Sequence, residues 1–181
     1  MSNVSTPAAG PAPRLALVTG GGGGIGATIC QELARAGYRV IVSDVDAQRA
    51  RRVADELGAP HAAHAFDVSD ETAVETAFDQ IEQTHGPIAV LVSAAGLLLF
   101  QANGERPLIK DTTLDIWERS FAVNARGVFL CGRAYLRRRE AAPLAHGRIV
   151  TFTSVAAQLG GYRSSASYIA CLLYTSDAAD E

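Results

Sequence analysis

The sequence predicts a single-domain α/β protein built on a doubly wound parallel sheet. Three observations carry this. The apolar runs are continuous, as in strands buried on both faces. They alternate with helix-length stretches, as parallel pairing requires. A glycine run lies directly between the first such strand and the first such helix. At 181 residues, 48% of them apolar, the chain suits one domain with a sizeable core.

The elements follow in order. Residues 1–13 are small residues and prolines, without the basic start and apolar centre of a signal peptide, and are expected to form a flexible tail. A strand at 14–19 leads through the glycines into a helix at 24–36, where Ile25, Ile29 and Leu33 recur at i and i+4 as an apolar stripe and Gly37 is placed to end the helix. Strands at 38–43, 60–66, 88–93 and 148–153 alternate with helices at 46–57, 70–85 and 120–141. Asp46 and Ser69 offer N-cap oxygens to the second and third helices. Right-handed crossovers give the doubly wound arrangement. The one long irregular connection, 97–113, follows a strand's carboxyl end, where such sheets bind ligands.

The run Thr19-Gly20-Gly21-Gly22-Gly23-Gly24-Ile25-Gly26 has a chemical reading. Glycine accepts positive φ and presents no Cβ to an approaching ligand, while the first N–H groups of the following helix have no internal acceptors. An anion such as a dinucleotide pyrophosphate fits there. Two registers are possible: Gly21, Gly23 and Gly26 match G-x-G-x-x-G, whereas Thr19-Gly20, Gly24 and Gly26 match T-G-x-x-x-G-x-G. Asp44 closes the second strand, where a carboxylate accepts from both ribose hydroxyls and repels a 2′-phosphate. NAD is therefore expected over NADP.

Bulk properties exclude other partners. A net charge of −3 with no long basic stretch argues against nucleic acid or an anionic membrane surface. Arg137-Arg138-Arg139 reads as cations complementing a helix C-terminus. Cys30, Cys131 and Cys171 are odd in number and lack C-x-x-C spacing, so neither a disulfide framework nor zinc is implied, and a reducing, cytoplasmic setting is expected. His61 and His64 have no accompanying ligand cluster, so no metal is expected. No segment reaches the roughly 20 apolar residues that span a bilayer.

Further motifs extend the pattern. Asp67-Val68, Ser93-Ala94-Ala95-Gly96, Asn124-Ala-Arg-Gly127 and Gly147-Arg-Ile-Val-Thr-Phe-Thr-Ser154 follow in order, and Tyr168 lies fourteen residues after Ser154. Together with the glycine loop, residues 14–170 resemble the short-chain dehydrogenase/reductase family, most closely its 3-oxoacyl reductase-like group. The resemblance implies a Rossmann-like domain, a nicotinamide cofactor, a secondary alcohol or ketone substrate, and a homo-oligomeric parent, dimer or tetramer. It also selects the longer glycine register. The cofactor residues it implies are Thr19, Gly20, Gly24, Ile25, Gly26, Asp44, Asp67, Val68, Ala94 and Gly96. The catalytic residues it implies are Asn124, which holds a water in a proton relay, Ser154, which steadies the substrate oxygen, and Tyr168, which exchanges a proton with it. Leu97 to Phe100, Gln158, Leu159 and Tyr162 are the expected first wall of the substrate pocket.

Two positions depart from the family. Ala94 replaces an asparagine whose side chain supports the central sheet. More consequential is Leu172, which stands four residues after Tyr168. The family places a lysine there to lower the phenol's pKa from about 10 and to hold the nicotinamide ribose. Lys110 is the single lysine of the chain. The peptide from Cys171 to Glu181 moreover resembles a translation of sequencing-adapter DNA. Residues 171–181 are accordingly expected to be a non-native tail on a C-terminally truncated domain that lacks its last strands. Such a fragment would be poorly soluble and nearly inactive. The alternative is a non-catalytic dinucleotide-binding or sensor protein in which Leu172 is native.

Overall fold

The structure is a computed structural model that describes residues 13–101, 104–159 and 166–177. The tail expected at 1–13 lies, apart from Pro13, outside the described residues, as does Tyr162.

Five parallel strands form one sheet: β1 (Leu15–Thr19), β2 (Arg39–Val42), β3 (Ala62–Ala63), β4 (Ile88–Ser93) and β5 (Arg148–Thr151). Their spatial order is β3-β2-β1-β4-β5. The helices between them are α1 (Gly24–Arg35), α2 (Ala47–Leu57), α3 (Glu71–His85), α4 (Leu114–Phe121) and α5 (Val128–Ala141), followed by α6 (Val155–Leu159) and α7 (Ala166–Asp177).

The central strands carry two cores because successive side chains point to opposite faces. Leu15, Leu17 and Ile41 pack with Val74, Phe78 and Ile81 of α3 and with Leu130, Ala134 and Tyr135 of α5. Ala16, Val18, Val40 and Val42 pack with Cys30 of α1 and with Ala50 and Val53 of α2. Full burial of each large aliphatic side chain contributes about 1.5–3 kcal/mol. With α1 and α2 on one face and α3 and α5 on the other, the chain reverses its direction of winding between β1 and β4. Such a sheet opens a crevice at the carboxyl ends of those two strands.

Several expectations are corrected. The strand expected at 60–66 pairs with β2 only at Ala62 and Ala63. His64 N–H adds one further bond to the Val42 carbonyl before the partner strand ends. The cap of α3 is Asp70, which accepts from Ala73 N–H, whereas Ser69 donates its N–H and hydroxyl to Asp67. The helix expected at 120–141 begins earlier, at α4, where Thr113 caps Ile116 N–H, and it passes through a π-helical segment, Ala122–Gly127. Ile25 leaves the apolar stripe of α1 and is 70% exposed, because Gly26 makes that turn's contact with the end of β1. Ile29 and Leu33 pack inward as expected, and Gly37 ends the helix with φ +83°. Strand β5 is exposed along its whole length, including Ile149 and Val150, unlike the buried strands β1 and β4.

The arginine cluster does more than complement a helix end. Arg138 bonds Glu75 and Asp79 while lying over the Phe78 ring, and Arg139 bonds Glu82. It ties α5 to α3 across the sheet face.

Candidate cofactor and catalytic site

The glycine loop is shaped by contacts that no side chain could share. A Cβ on Gly20 would lie 2.6 Å from Ala95 Cα, and one on Gly26 would lie 2.1 Å from the Gly20 carbonyl oxygen. Gly20 and Gly24 have φ of +67° and +52°, which favour glycine. Gly23 is extended, with open space where a Cβ would stand, so glycine is required at 20, 24 and 26 but not at 23. That pattern is the longer register. Gly21 and Gly22 are confined from outside the loop, by Val42 and by Asp44 and Arg49.

Helix α1 begins at Gly24 with no side chain capping its first N–H groups. An uncapped N-terminus above a Cβ-free turn fits a pyrophosphate. Thr19, buried at the end of β1, accepts from Ala95 N–H at 3.3 Å and so joins the β1 and β4 loops across the crevice. This bond spans the switch point next to Ala94, whose side chain packs into the α1/α2 core.

Asp44 and Asp46 divide two tasks, with Asp46 taking the cap that the sequence offers it. Asp46 caps α2, accepting from Gln48 and Arg49 N–H. Asp44 instead faces the loop, where Oδ2 accepts from Gly22 N–H at 3.1 Å and Oδ1 accepts from Asp46 N–H at 3.1 Å. Each oxygen retains acceptor capacity for a hydroxyl. Beyond β3, the Asp67 carboxylate is exposed and engaged by Ser69, and Val68 is buried against Gly127. One further residue of the loop had no sequence signal: Arg52 of α2 donates to the Gly22 carbonyl at 3.2 Å. The two lie thirty positions apart, beyond any local motif.

The catalytic candidates lie on segments that follow β4 and β5 in the chain. Asn124 is buried in the π-helical segment, a geometry that often marks functional positions. Its Oδ1 accepts from Leu97 N–H at 2.6 Å, and its Nδ2 donates to the Leu97 carbonyl at 2.8 Å and to Cys171 Sγ at 3.3 Å. Both amide hydrogens are therefore engaged, leaving an acceptor lone pair for any water. Ser154 follows β5, half-buried, and its Oγ accepts from Ala156 N–H at the start of α6. Tyr168 is half-buried on α7, which packs against α6.

Among the described residues, three of the bonds to α7 join it to the rest of the site. Ser167 and Ser120 share a buried hydroxyl contact at 3.0 Å, Asn124 meets Cys171, and Thr153 Oγ1 donates to the Leu172 carbonyl at 2.8 Å. Burial raises the Cys171 thiol pKa, with the Asn124 amide opposing it. Leu172 is buried one turn beyond Tyr168, so that turn carries an apolar group and no cation. Of the expected pocket wall, Leu97 to Leu99 are half-buried and Phe100 is exposed, while the side chains of Gln158 and Leu159 lie outside the described residues. Among the described residues no group of three His, Cys, Asp or Glu is arranged to hold a metal, and no helix is long and apolar enough to cross a membrane.

Residues 14–175 match the family model for short chain dehydrogenases. The chain belongs to this family. Its short-chain dehydrogenase relatives include secoisolariciresinol dehydrogenase of Forsythia intermedia, 32% identical over 84% of this chain and 53% of the relative. D-threitol dehydrogenase of Mycolicibacterium smegmatis is 34% identical over 80% of this chain and 54% of the relative. The chain thus spans about half the length of these two relatives. Among solved structures, a gluconate 5-dehydrogenase from Burkholderia cenocepacia, in complex with NADP and tartrate, is similar with a TM-score of 0.77 and 31% identity. That match covers 88% of this short-chain dehydrogenase chain and 60% of the other. Binding of NAD(P) is a property of the family; the choice between the two forms depends on local residues.

Proposed function

We propose that this chain is the cofactor-binding and proton-handling part of an oxidoreductase that interconverts a secondary alcohol and a ketone using NAD(H). When bound, the nicotinamide would supply the two-electron acceptor or donor. The chain's own residues do the rest. Gly20, Gly24, Ile25 and Gly26 form the phosphate cradle, Thr19, Ala94 and Gly96 line the switch point, and Asp67 and Val68 border the adenine side. Ser154 would hold the substrate oxygen, Tyr168 would exchange a proton with it, and Asn124 would fix the neighbouring Leu97 turn and accept from a relay water.

The observation that carries the cofactor choice is the Asp44 carboxylate beside Gly22. A fixed anion there accepts from ribose hydroxyls and repels a 2′-phosphate. Titration of protein fluorescence with NADH and NADPH tests it: NADH is expected to bind at least about tenfold more tightly, a difference of about 1.4 kcal/mol, and Asp44→Ala should narrow the gap. Equal affinities would overturn the NAD preference, and binding of neither would overturn the dinucleotide reading.

One observation favours a second reading, dinucleotide binding without turnover. Leu172 places an apolar side chain one turn after Tyr168, where the family's lysine supplies charge. Leu172→Lys separates the two readings. A gain in ketone-dependent NADH oxidation supports the oxidoreductase, and intact NADH binding with no gain supports the binding protein.

A further inference from the structure

The glycine loop is anchored from outside itself. Gly21 N–H donates to the Ser43 carbonyl at 2.7 Å, Gly22 N–H donates to Asp44 Oδ2, and the Gly22 carbonyl accepts from Arg52 Nη2. All three partners belong to β2, its end or α2. The next carbonyl, that of Gly23, accepts from Ala27 N–H inside α1. Gly22 is thus the last loop residue held by the β2/α2 side before the chain commits to α1.

Orientation of the Gly22 carbonyl matters for an anion. A carbonyl oxygen turned into a phosphate cradle would set a partial negative charge against the ligand, whereas one turned toward α2 leaves the cradle to N–H groups. Arg52 is exposed on α2, yet its guanidinium reaches back to this carbonyl and also meets Glu56 Oε1 at 3.3 Å. The Glu56 contact, one turn along α2, restrains the guanidinium in its reach. Arg49 does not substitute for it, because its Nε is paired with Asp46.

We propose that Arg52 is a positioning residue for the dinucleotide loop, holding the Gly22 carbonyl away from the anion cradle while Asp44 holds the Gly22 N–H. This rests on the dinucleotide reading above and adds a helix residue outside the glycine motif to it. Arg52 touches no part of the reaction, so its loss acts on cofactor affinity.

The test compares Arg52→Met, which keeps the aliphatic stem, and Arg52→Lys, which keeps a donor, with the unaltered chain. NADH affinity by fluorescence is expected to fall about tenfold in Arg52→Met and to recover in large part in Arg52→Lys, with the melting temperature unchanged. Amide exchange in the nucleotide-free protein supplies a second readout: Arg52→Met should accelerate exchange at Gly22 and leave β4 amides unchanged. Unaltered NADH affinity or unaltered exchange at Gly22 in Arg52→Met overturns the proposal while the dinucleotide reading stands. An unaltered chain that binds no NADH overturns that reading and, with it, the role given to Arg52.

Discussion

Asn124 grips Leu97 by both ends of its peptide backbone, accepting from the N–H at 2.6 Å and donating to the carbonyl at 2.8 Å. The two residues belong to different elements, a π-helical turn and the connection leaving β4. Because the amide is buried, no water can replace it without cost.

Asn124→Asp keeps the acceptor and removes the donor, leaving the Leu97 carbonyl facing a carboxylate. The expected loss is about 2 kcal/mol. Asn124→Ala should lose a similar amount and free the Leu97 turn. Urea unfolding measures the first effect, and amide exchange at Leu97 measures the second. Unchanged exchange in Asn124→Ala would show that the turn is held by other groups.

The glycine register gives a paired prediction. Gly26→Ala drives a Cβ to within 2.1 Å of a backbone oxygen and should abolish NADH binding while lowering stability by several kcal/mol, on the order of 3. Gly23→Ala meets open space in extended backbone and should change both by little. Fluorescence titration and thermal melting of the two variants decide between the registers. Equal damage from both would contradict the longer pattern.

Acid should weaken the fold through three histidines. Burial lowers the pKa of His61, His64 and His85 in the native state, and the Arg39 charge adds to the effect at His61 and His85. His61 Nδ1 accepts from Val40 N–H, and His85 Nδ1 contacts the Arg39 guanidinium. Each site therefore favours the neutral ring, so the unfolded chain binds more protons below about pH 6.5. The stability these rings contribute is complete above that pH and is lost as pH falls toward their lowered native values. The urea midpoint should drop between pH 7.5 and 5.5, and His85→Gln should flatten part of the slope. A midpoint independent of pH in this window would rule the mechanism out.

Strand β5 exposes apolar side chains that a buried strand would hide, with Ile149 37% and Val150 43% accessible. Ile149, with Leu136 and Leu144, lines an open cavity of about 380 Å³ between the end of α5 and β5. Exposed apolar strand surface promotes association. Ile149→Lys should raise the soluble fraction of expressed protein and reduce light scattering. No change in either would place the association surface elsewhere.

Much of the fold was legible because its signals are local. The continuous apolar runs at 15–19 and 88–93 need burial on both faces, and the glycines between Thr19 and Ile25 have one mechanical use between a strand and a helix. Other features were hidden because they depend on distant partners. Nothing near Ser69 reveals that Asp67 will take its hydroxyl and leave the cap to Asp70. Nothing near residues 60–66 says that β2 will stop at Val42 and leave most of the segment without a ladder.

The same division runs through the site. Sequence alone determined the winding class, which follows from periodicity, and the order of the motifs, on which the resemblance to the family rests. Only the tertiary structure decided which glycines are indispensable, because that depends on Ala95 and the Gly20 carbonyl approaching to less than a Cβ would allow. It also bonded Asp44 to Gly22, and it brought Arg52 to Gly22 and Asn124 to Leu97. Each of those bonds joins groups far apart in the chain, and only packing of α2 and the π-helical turn against the sheet brings them within reach.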